Sequence, residues 1–186
     1  DEVGNANVRG SLGIAHTRWA THGKPSHRNA HPHLSDDTIA LVHNGIIENY
    51  LEHKQALMKR GYTFASDTDT EVIAHLVQAI QKEQKLGLVD AVKAAIKQLH
   101  GAYGIAVISK AEPDSIVVAR SGSPLVIGIG IGENFIASDP AALGQVTDRF
   151  IYLEEGDIAH VTLTTYQMWN GDKDVTRERE IARIRS

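Results

Sequence analysis

Hydrophobic and polar positions along the chain follow two periods, one helical and one strand-like. Between residues 47 and 99, apolar residues recur at helical spacing, with Gly61 marking a helix end and the Thr68-x-x-Glu71 pattern of a capping box marking a helix start. From Gly101 onward, short β-rich runs alternate with turn signals. Because helices and strands are segregated in this way, we predict an α+β fold with antiparallel sheets rather than a doubly wound parallel sheet.

The pattern predicts helices with apolar faces and strands at defined positions. The first helical face comprises Ile47, Tyr50, Leu51, Lys54, Leu57 and Met58, and the second comprises Val72, Ile73, Leu76, Val77 and Ile80. A third helix is predicted at 88–99. Strands are predicted at 12–17, 39–43, 103–109, 115–120, 125–131, 134–138, 150–154, 157–163 and 165–169. We further expect Asn44-Gly45 to stop the strand at 39–43, Glu112-Pro113-Asp114 to form a turn, and residues 18–34 to form a long functional loop.

Composition narrows the class of protein. The 186 residues, 42% of them hydrophobic and 23% charged, are typical of one soluble globular domain. A net charge of -4 gives no basic surface for nucleic acid, and the apolar runs fall short of the ~20 residues that span a membrane, so we expect a cytoplasmic protein. The chain contains no Cys, which excludes disulfides and a thiol nucleophile within it. Its start without Met and its charge-dense end at 177–185 indicate a piece of a longer protein.

Two motifs suggest chemistry that their context does not favour. Histidines are dense near the start of the chain, and His22, His31 and His33 could ligate a metal, but no HExxH helix accompanies them. We therefore predict no metal and keep a His-based metallohydrolase as an alternative. The glycine-rich run at 128–132 is followed by a strand-like segment instead of a helix, so it is not a dinucleotide loop.

An Arg and an Asp could bind the two charged groups of a free amino acid, and an Asn-Gly pair could stabilise an oxyanion. The guanidinium of Arg18 suits a carboxylate, although pairing with Asp36 or Asp37 would explain it equally well. Asn44-Gly45 can donate to an oxyanion or form a plain turn. Asp69 can cap a helix or oppose a ligand's ammonium group.

Several of these motifs occur together in one known family. The stretches 16–25, 29–33, 43–49 and 66–71 appear in the order seen in class II glutamine amidotransferases, and the stretches 120–128 and 153–158 resemble most closely the branch that aminates fructose 6-phosphate to glucosamine 6-phosphate. The resemblance covers about residues 13–159. It implies a four-layer αββα N-terminal-nucleophile hydrolase sandwich with antiparallel sheets, here without its first strand.

The resemblance also implies a role for each candidate residue. Asn44 and the N–H of Gly45 would form the oxyanion hole, and Asp69 would bind the α-ammonium group of glutamine. The α-carboxylate would be bound by Arg18 with Thr21 and His22, Trp19 would gate the passage of ammonia, and His31 would be a supporting residue. No cofactor is implied.

The family's nucleophile is an N-terminal Cys, which this chain lacks, so we expect the 186 residues to bind L-glutamine without turning it over. We predict a truncated amidotransferase domain at 1–165 and a C-terminal edge or linker at 166–186, leading toward a sugar-isomerase domain in a homodimeric parent. The alternatives are the glutaminase domain of another class II enzyme, such as an amidophosphoribosyltransferase, and a non-catalytic glutamine-binding module.

Overall fold

The structure, a computed structural model, describes residues 32–184. The strand predicted at 12–17 and most of the loop predicted at 18–34 lie outside the described residues. Within residues 32–184, three α-helices accompany two sheets whose strand pairs are all antiparallel. The predicted α+β class with antiparallel sheets is therefore confirmed.

The helices and strands have the following bounds. The α-helices are α1 (Tyr50–Lys59), α2 (Asp69–Gln84) and α3 (Leu88–Ile96). The first sheet contains β1 (His33–Ser35), β2 (Ile39–Ile47), β3 (Gly101–Ser109), β4 (Glu112–Ser121), β8 (Asp157–Val161), β9 (Tyr166–Asn170) and β10 (Lys173–Asp174), in that spatial order. The second sheet contains β11 (Ala182–Arg183), β7 (Arg149–Tyr152), β5 (Val126–Ile129) and β6 (Asn134–Ala137).

Two apolar layers lie on opposite faces of the first sheet. The helix–sheet layer joins α1, α2 and α3 to β2, β3 and β4 and includes Ile73, Leu88 and Ile105. The intersheet layer joins the first sheet to the second and includes Ile127 and Met168. Because successive strand residues point to opposite faces, β3 and β4 contribute side chains to both layers.

The outer face of the second sheet is covered by a short 3-10 helix, Pro140–Leu143. A Cβ on Gly128 would lie 3.0 Å from the side chain of Leu143 and 2.9 Å from that of Thr147, so a small residue is required there. This close approach supports the interpretation of the glycine-rich run as a packing feature. None of the α-helices between residues 32 and 184 has the length and apolarity to cross a membrane.

The helix predictions are partly correct. All five residues of the predicted α2 face are buried. On α1, however, Leu57 is buried whereas Leu51 and Met58 are each 55% exposed, so the predicted apolar face is wrong at those two positions. The capping box is also wrong in detail. The Thr68 side chain makes no cap hydrogen bond, and the Glu71 carboxylate accepts the N–H groups of Ala65 and Ser66.

Three strand predictions are corrected by the pairing. Strand β2 continues through Asn44-Gly45, which lie opposite Gly104 and Tyr103 of β3, so the dipeptide neither stops the strand nor forms a turn. Residues Glu112-Pro113-Asp114 begin β4 rather than forming a turn. His33 and Leu34 belong to β1 instead of the long loop. In each case pairing between strands overrides a local turn preference.

Residues beyond 165 contribute to both sheets. Strand β9 pairs with β8, β10 pairs with β9, and β11 pairs with β7 of the second sheet. Arg179 anchors this segment through a two-pronged bond to the buried Asp157, at 2.7 and 2.8 Å. The division of the chain at residue 165 stays a prediction.

Candidate functional site

Buried polar side chains are concentrated where β1 and β2 meet the start of α2. This group, termed the polar end of the helix–sheet layer, consists of His33, Ser35, His43, Ser66, Thr68, Asp69, Thr70, Glu71 and His75, each at most 5% exposed. Burial of polar groups costs free energy unless they are hydrogen-bonded. Such a concentration therefore marks a region built for more than apolar packing.

Asp69 connects the start of α2 to the end of β2. It is the first residue of α2, is 3% exposed, and its Oδ2 accepts the backbone N–H of Ile47 at 2.8 Å. One residue further, Thr70 Oγ1 lies 3.0 Å from Nδ1 of the buried His43. The carboxylate is thereby held beside residues 43–47, where the N-terminal end of the helix dipole favours negative charge.

Asn44 and Gly45 lie on the same stretch of β2. Gly45 has a φ of +118°, a conformation that side-chain-bearing residues rarely adopt, and a Cβ there would collide with the carbonyl oxygen of Ala102. The hydroxyl of Ser123 also comes within 2.9 Å of that Cβ position. The site therefore requires glycine for steric reasons, in addition to any chemical role of its N–H.

Glu71 is the most hydrogen-bonded carboxylate of the polar end. Oε1 accepts the Ser66 N–H at 2.6 Å, and Oε2 accepts the Ala65 N–H at 2.8 Å and lies 3.0 Å from His75 Nε2. Burial by itself would raise the pKa of Glu71, but the hydrogen bonds from His75, Ser66 and Ala65 outweigh it and lower that pKa to about 2. Glu71 is therefore ionised at neutral pH.

His75 completes a buried chain of side chains. Its Nδ1 lies 2.8 Å from Ser35 Oγ on β1, so Ser35, His75 and Glu71 are linked in sequence. The rings of Tyr62 and Phe64 pack against the imidazole, with centroids 5.1 and 4.6 Å away. Ser35 is fully buried and its hydroxyl is paired with the imidazole. The three side chains therefore connect β1 to the first turns of α2.

A second group of polar contacts fixes the loop opposite Gly45. The Glu155 carboxylate accepts the Gly122 N–H at 2.9 and 3.1 Å and lies 3.5 Å from Arg120 Nη2. Arg120 also donates to the carbonyl oxygen of Leu153. The 153–157 turn thus holds the segment that carries Ser123 against β2.

The structure brings together three of the predicted site residues. Asn44 and Gly45 lie on β2, and Asp69 at the start of α2 contacts Ile47 of the same strand. The other predicted residues, Arg18, Trp19, Thr21, His22 and His31, lie outside the described residues. The supporting roles of Ser35 and His75 were missed by the sequence analysis, and no local signal points to a contact between residues 40 positions apart.

The metal hypothesis receives no support from the described part of the chain. Among residues 32–184, no three His, Cys, Asp or Glu side chains are grouped so as to hold a metal ion. The Nε2 of His33 lies 3.0 Å from Thr68 Oγ1, which is a hydrogen-bonding role. His22 and His31, the other two residues of that hypothesis, are outside the described range.

Comparison with known proteins identifies the family. A sequence-family model described as the glutamine amidotransferase domain matches residues 16–145. The chain belongs to this family. The match includes the segments that contribute Asn44, Gly45 and Asp69, and it agrees with the resemblance noted from the motifs.

The curated relatives share one name. The glutamine–fructose-6-phosphate aminotransferase [isomerizing] of Pseudomonas aeruginosa is 62% identical over 91% of this chain and 28% of its own length. The protein of the same name from Haemophilus influenzae is 61% identical over 91% of the chain and 28% of its own length. The chain therefore spans somewhat more than a quarter of these relatives.

Solved structures confirm the fold. A glutamine phosphoribosylpyrophosphate amidotransferase from B. subtilis, complexed with ADP and GMP, superposes with a TM-score of 0.68 and 27% identity over 84% of this chain and 34% of its own. A glutamine aminotransferase class-II domain protein from Silicibacter pomeroyi reaches 0.57 at 19% identity, over 75% of this chain and 70% of its own. The predicted N-terminal-nucleophile type of sandwich is thus confirmed.

Proposed function

We propose that the chain is the glutamine-binding part of an aminotransferase that transfers the amide nitrogen of L-glutamine to fructose 6-phosphate, giving glucosamine 6-phosphate. The observation that carries the proposal is the 62% identity over 91% of the chain to a glutamine–fructose-6-phosphate aminotransferase. The phosphoribosylpyrophosphate enzyme, at 27% identity, shares the fold but is a more distant relative. Fructose 6-phosphate is therefore the favoured acceptor, bound by a sugar-isomerase domain of a longer, homodimeric and cytoplasmic parent.

In this proposal the amino acid is bound through both of its charges. The buried carboxylate of Asp69 binds the α-ammonium group, where an ion pair shielded from water is stronger than one at the surface. Arg18 binds the α-carboxylate with help from Thr21 and His22, and Trp19 gates ammonia passage. The contact between Asp69 and Ile47 supports the first assignment, because it places the carboxylate at the end of the strand that carries Asn44 and Gly45.

The same strand supplies the oxyanion hole. Backbone N–H groups of a strand alternate in direction, so the N–H of Gly45 lies on the same edge of β2 as that of Ile47, which faces Asp69. The Asn44 amide and the Gly45 N–H donate to the oxygen that becomes negative when the side-chain amide of glutamine is attacked. In the family a Cys thiolate attacks the amide carbonyl, the tetrahedral intermediate expels ammonia to leave a thioester, and water then hydrolyses the thioester to glutamate. This chain has no Cys to perform that attack.

Calorimetric titration of the 186-residue chain with L-glutamine tests the proposal. We expect Arg18→Ala and Asp69→Ala each to weaken binding by about 10- to 100-fold, the usual effect of losing a hydrogen bond to a charged group. Asp172→Ala, at the exposed turn after β9, serves as the matched control and should leave affinity unchanged. Glutamine binding that is insensitive to both site substitutions in folded protein would contradict the site.

An assay for glutamate release tests the role of the missing thiol. The 186-residue chain should bind glutamine and release no glutamate above the buffer rate, because binding and oxyanion groups without a nucleophile cannot form the thioester. Sustained glutamate release from purified chain would overturn this assignment.

A further inference from the structure

We propose that Glu71, held by His75 and Ser35, is a positioning residue that directs the Asp69 carboxylate toward the α-ammonium group of bound glutamine. This inference rests on the glutamine-binding role proposed for Asp69. It adds a function to three buried residues that are not themselves expected to touch the ligand.

Glu71 forms hydrogen bonds that span Asp69 along the chain. Its two carboxylate oxygens accept N–H groups at positions 65 and 66, before Asp69, while its own backbone lies after Asp69 in the first turn of α2. These hydrogen bonds therefore close a ring of the chain, from residue 65 to residue 71, that includes Asp69. A change in the backbone dihedrals between Ser66 and Asp69 would lengthen at least one of the two bonds, at 2.6 and 2.8 Å.

The Glu71 carboxylate is itself held by further hydrogen bonds. His75 Nε2 contacts Oε2 at 3.0 Å from one helical turn further along α2, and Ser35 Oγ contacts His75 Nδ1 at 2.8 Å from β1. Ser35, His75 and Glu71 are 0%, 4% and 2% exposed. Because water does not compete for these groups, the hydrogen bonds from Ser35 through His75 fix the carboxylate of Glu71 relative to the first sheet.

Thr68, the residue just before Asp69, is hydrogen-bonded as well. Thr68 Oγ1 lies 2.9 Å from Ser66 Oγ and 3.0 Å from His33 Nε2 on β1. The entrance to α2 is thus connected to β1 at both Ser35 and His33. Together these contacts leave the backbone at Asp69 little freedom to rotate.

Ligand chemistry explains why such control matters. A charge-assisted hydrogen bond between an ammonium group and a carboxylate has a preferred length of about 2.7–2.9 Å and weakens when the two groups are misaligned. Asp69 already uses Oδ2 to accept the Ile47 N–H, which limits the directions from which an ammonium group can approach. A small rotation of Asp69 should therefore reduce binding of the ammonium group and leave binding of the rest of glutamine intact.

The test compares two ligands that differ in the ammonium group. L-Glutamine and 4-carbamoylbutanoate, which is glutamine without its α-amino group, are titrated into wild type, Glu71→Gln and Ser35→Ala by calorimetry at neutral pH. We expect Glu71→Gln to weaken L-glutamine binding about tenfold while the affinity for 4-carbamoylbutanoate changes less than twofold. Ser35→Ala, which alters no charge, should weaken L-glutamine binding about threefold with the same selectivity.

Matched controls separate positioning from general destabilisation. Ser115→Ala removes the hydroxyl from another Ser–His pair, 2.7 Å from His160 Nε2, and Asp157→Asn alters another buried carboxylate. Both should leave the ratio of the two affinities at its wild-type value. If Glu71→Gln fails to fold, Ser35→Ala decides the matter.

The possible failures are distinguishable. Equal loss of affinity for both ligands, or unchanged L-glutamine affinity in folded Ser35→Ala and Glu71→Gln, would overturn the positioning role while leaving the proposed function standing. Absence of L-glutamine binding by the wild-type chain would overturn the proposed function and the positioning role together.

Discussion

The two apolar layers of the molecule treat buried carboxylates differently. In the intersheet layer, Asp157 shares a strand face with Ala159 and Val161, is fully buried, and is neutralised by the two-pronged Arg179 guanidinium. In the helix–sheet layer, Asp69 and Glu71 are held by backbone N–H groups and by His75. Within residues 32–184, no Lys or Arg side chain forms an ion pair with either of them.

This difference gives the same side-chain type two different electrostatic environments. A carboxylate closed by a guanidinium fork has its charge cancelled and its lone pairs occupied, so it anchors the C-terminal segment. A carboxylate held by amide dipoles stays negative toward its surroundings and can attract a cation. The polar end of the helix–sheet layer is therefore suited to a ligand's ammonium group, whereas the surroundings of Asp157 are not.

The largest expected effect is at the glycine of the polar end. Gly45→Ala should lower the free energy of unfolding by about 4 kcal/mol, because it combines an unfavourable φ with a collision against the Ala102 carbonyl. Urea unfolding measures this. Gly171→Ala is the control, since Gly171 has a φ of +59° but open space around its Cβ position, and should cost about 1 kcal/mol. Equal costs at the two positions would show that β2 does not approach β3 as described.

The next largest effect is expected at the ion pair between Arg179 and Asp157. Arg179→Ala should lower the free energy of unfolding by about 3 to 4 kcal/mol, because Asp157 stays buried without its cation. L-Glutamine affinity in the folded fraction should stay unchanged, since this ion pair belongs to the intersheet layer and not to the polar end of the helix–sheet layer. A loss below about 1 kcal/mol in urea unfolding would refute the structural role of this pair.

The dependence of stability on pH tests the contribution of the buried Glu71 carboxylate. The pKa of Glu71 falls from an ordinary 4.5 to about 2 on folding, so its ionised form contributes about 3 kcal/mol of stability that is fully present above pH 4.5. That contribution is lost as the pH drops toward about 2. Burial would raise the pKa of Asp157, but its hydrogen bonds to Arg179, to Asn170 and to the Glu154 N–H lower that pKa. Ionised Asp157 therefore also stabilises the fold, and this contribution is likewise lost as the pH falls.

Unfolding free energies measured between pH 6 and 2 in wild type and Glu71→Gln check this assignment. The variant should show a clearly shallower pH dependence and retain the part due to Asp157. Parallel curves for the two proteins would mean that Glu71 is not the strongly shifted group.

The smallest expected effect concerns an exposed ion pair. Lys173 Nζ lies 2.9 Å from Glu178 Oε1, but the two side chains are 67% and 51% exposed. Lys173→Gln should therefore change the free energy of unfolding by less than about 0.5 kcal/mol. A cost comparable to that of Arg179→Ala would contradict the distinction between buried and exposed pairs on which the comparison depends.

The sequence predicts well those features that depend on long periodic segments. The apolar positions predicted for α2 are all buried, as its helical period indicates. Asp69, Thr70, Glu71 and His75 of the same helix are buried as well, which the apolar period does not predict. On α1 the same reasoning fails at Leu51 and Met58, since periodicity cannot tell which apolar positions find a partner. Asn44-Gly45 has a strong local turn preference that pairing with β3 overrides.

In the candidate site, too, some residues were predicted from motifs, whereas other contacts depend on tertiary packing. Asp69, Asn44 and Gly45 were predicted as site residues from two short motifs of the family that the chain resembles. The connection from Ser35 through His75 to Glu71 depends on how β1 packs against α2, which no local pattern encodes. The Thr-x-x-Glu pattern did mark Glu71, but as a partner of Thr68 rather than of Ala65 and Ser66.

Backbone amide chemical shifts of the ¹⁵N-labelled chain, followed during titration with L-glutamine, test most directly whether the polar end of the helix–sheet layer is the binding site. We expect saturable shifts concentrated at Gly45, Ile47 and Asp69, with the amides of Asp157 and Met168 in or beside the intersheet layer unaffected. Saturable shifts confined to the intersheet layer, or no shifts at any glutamine concentration in a folded chain, would contradict it.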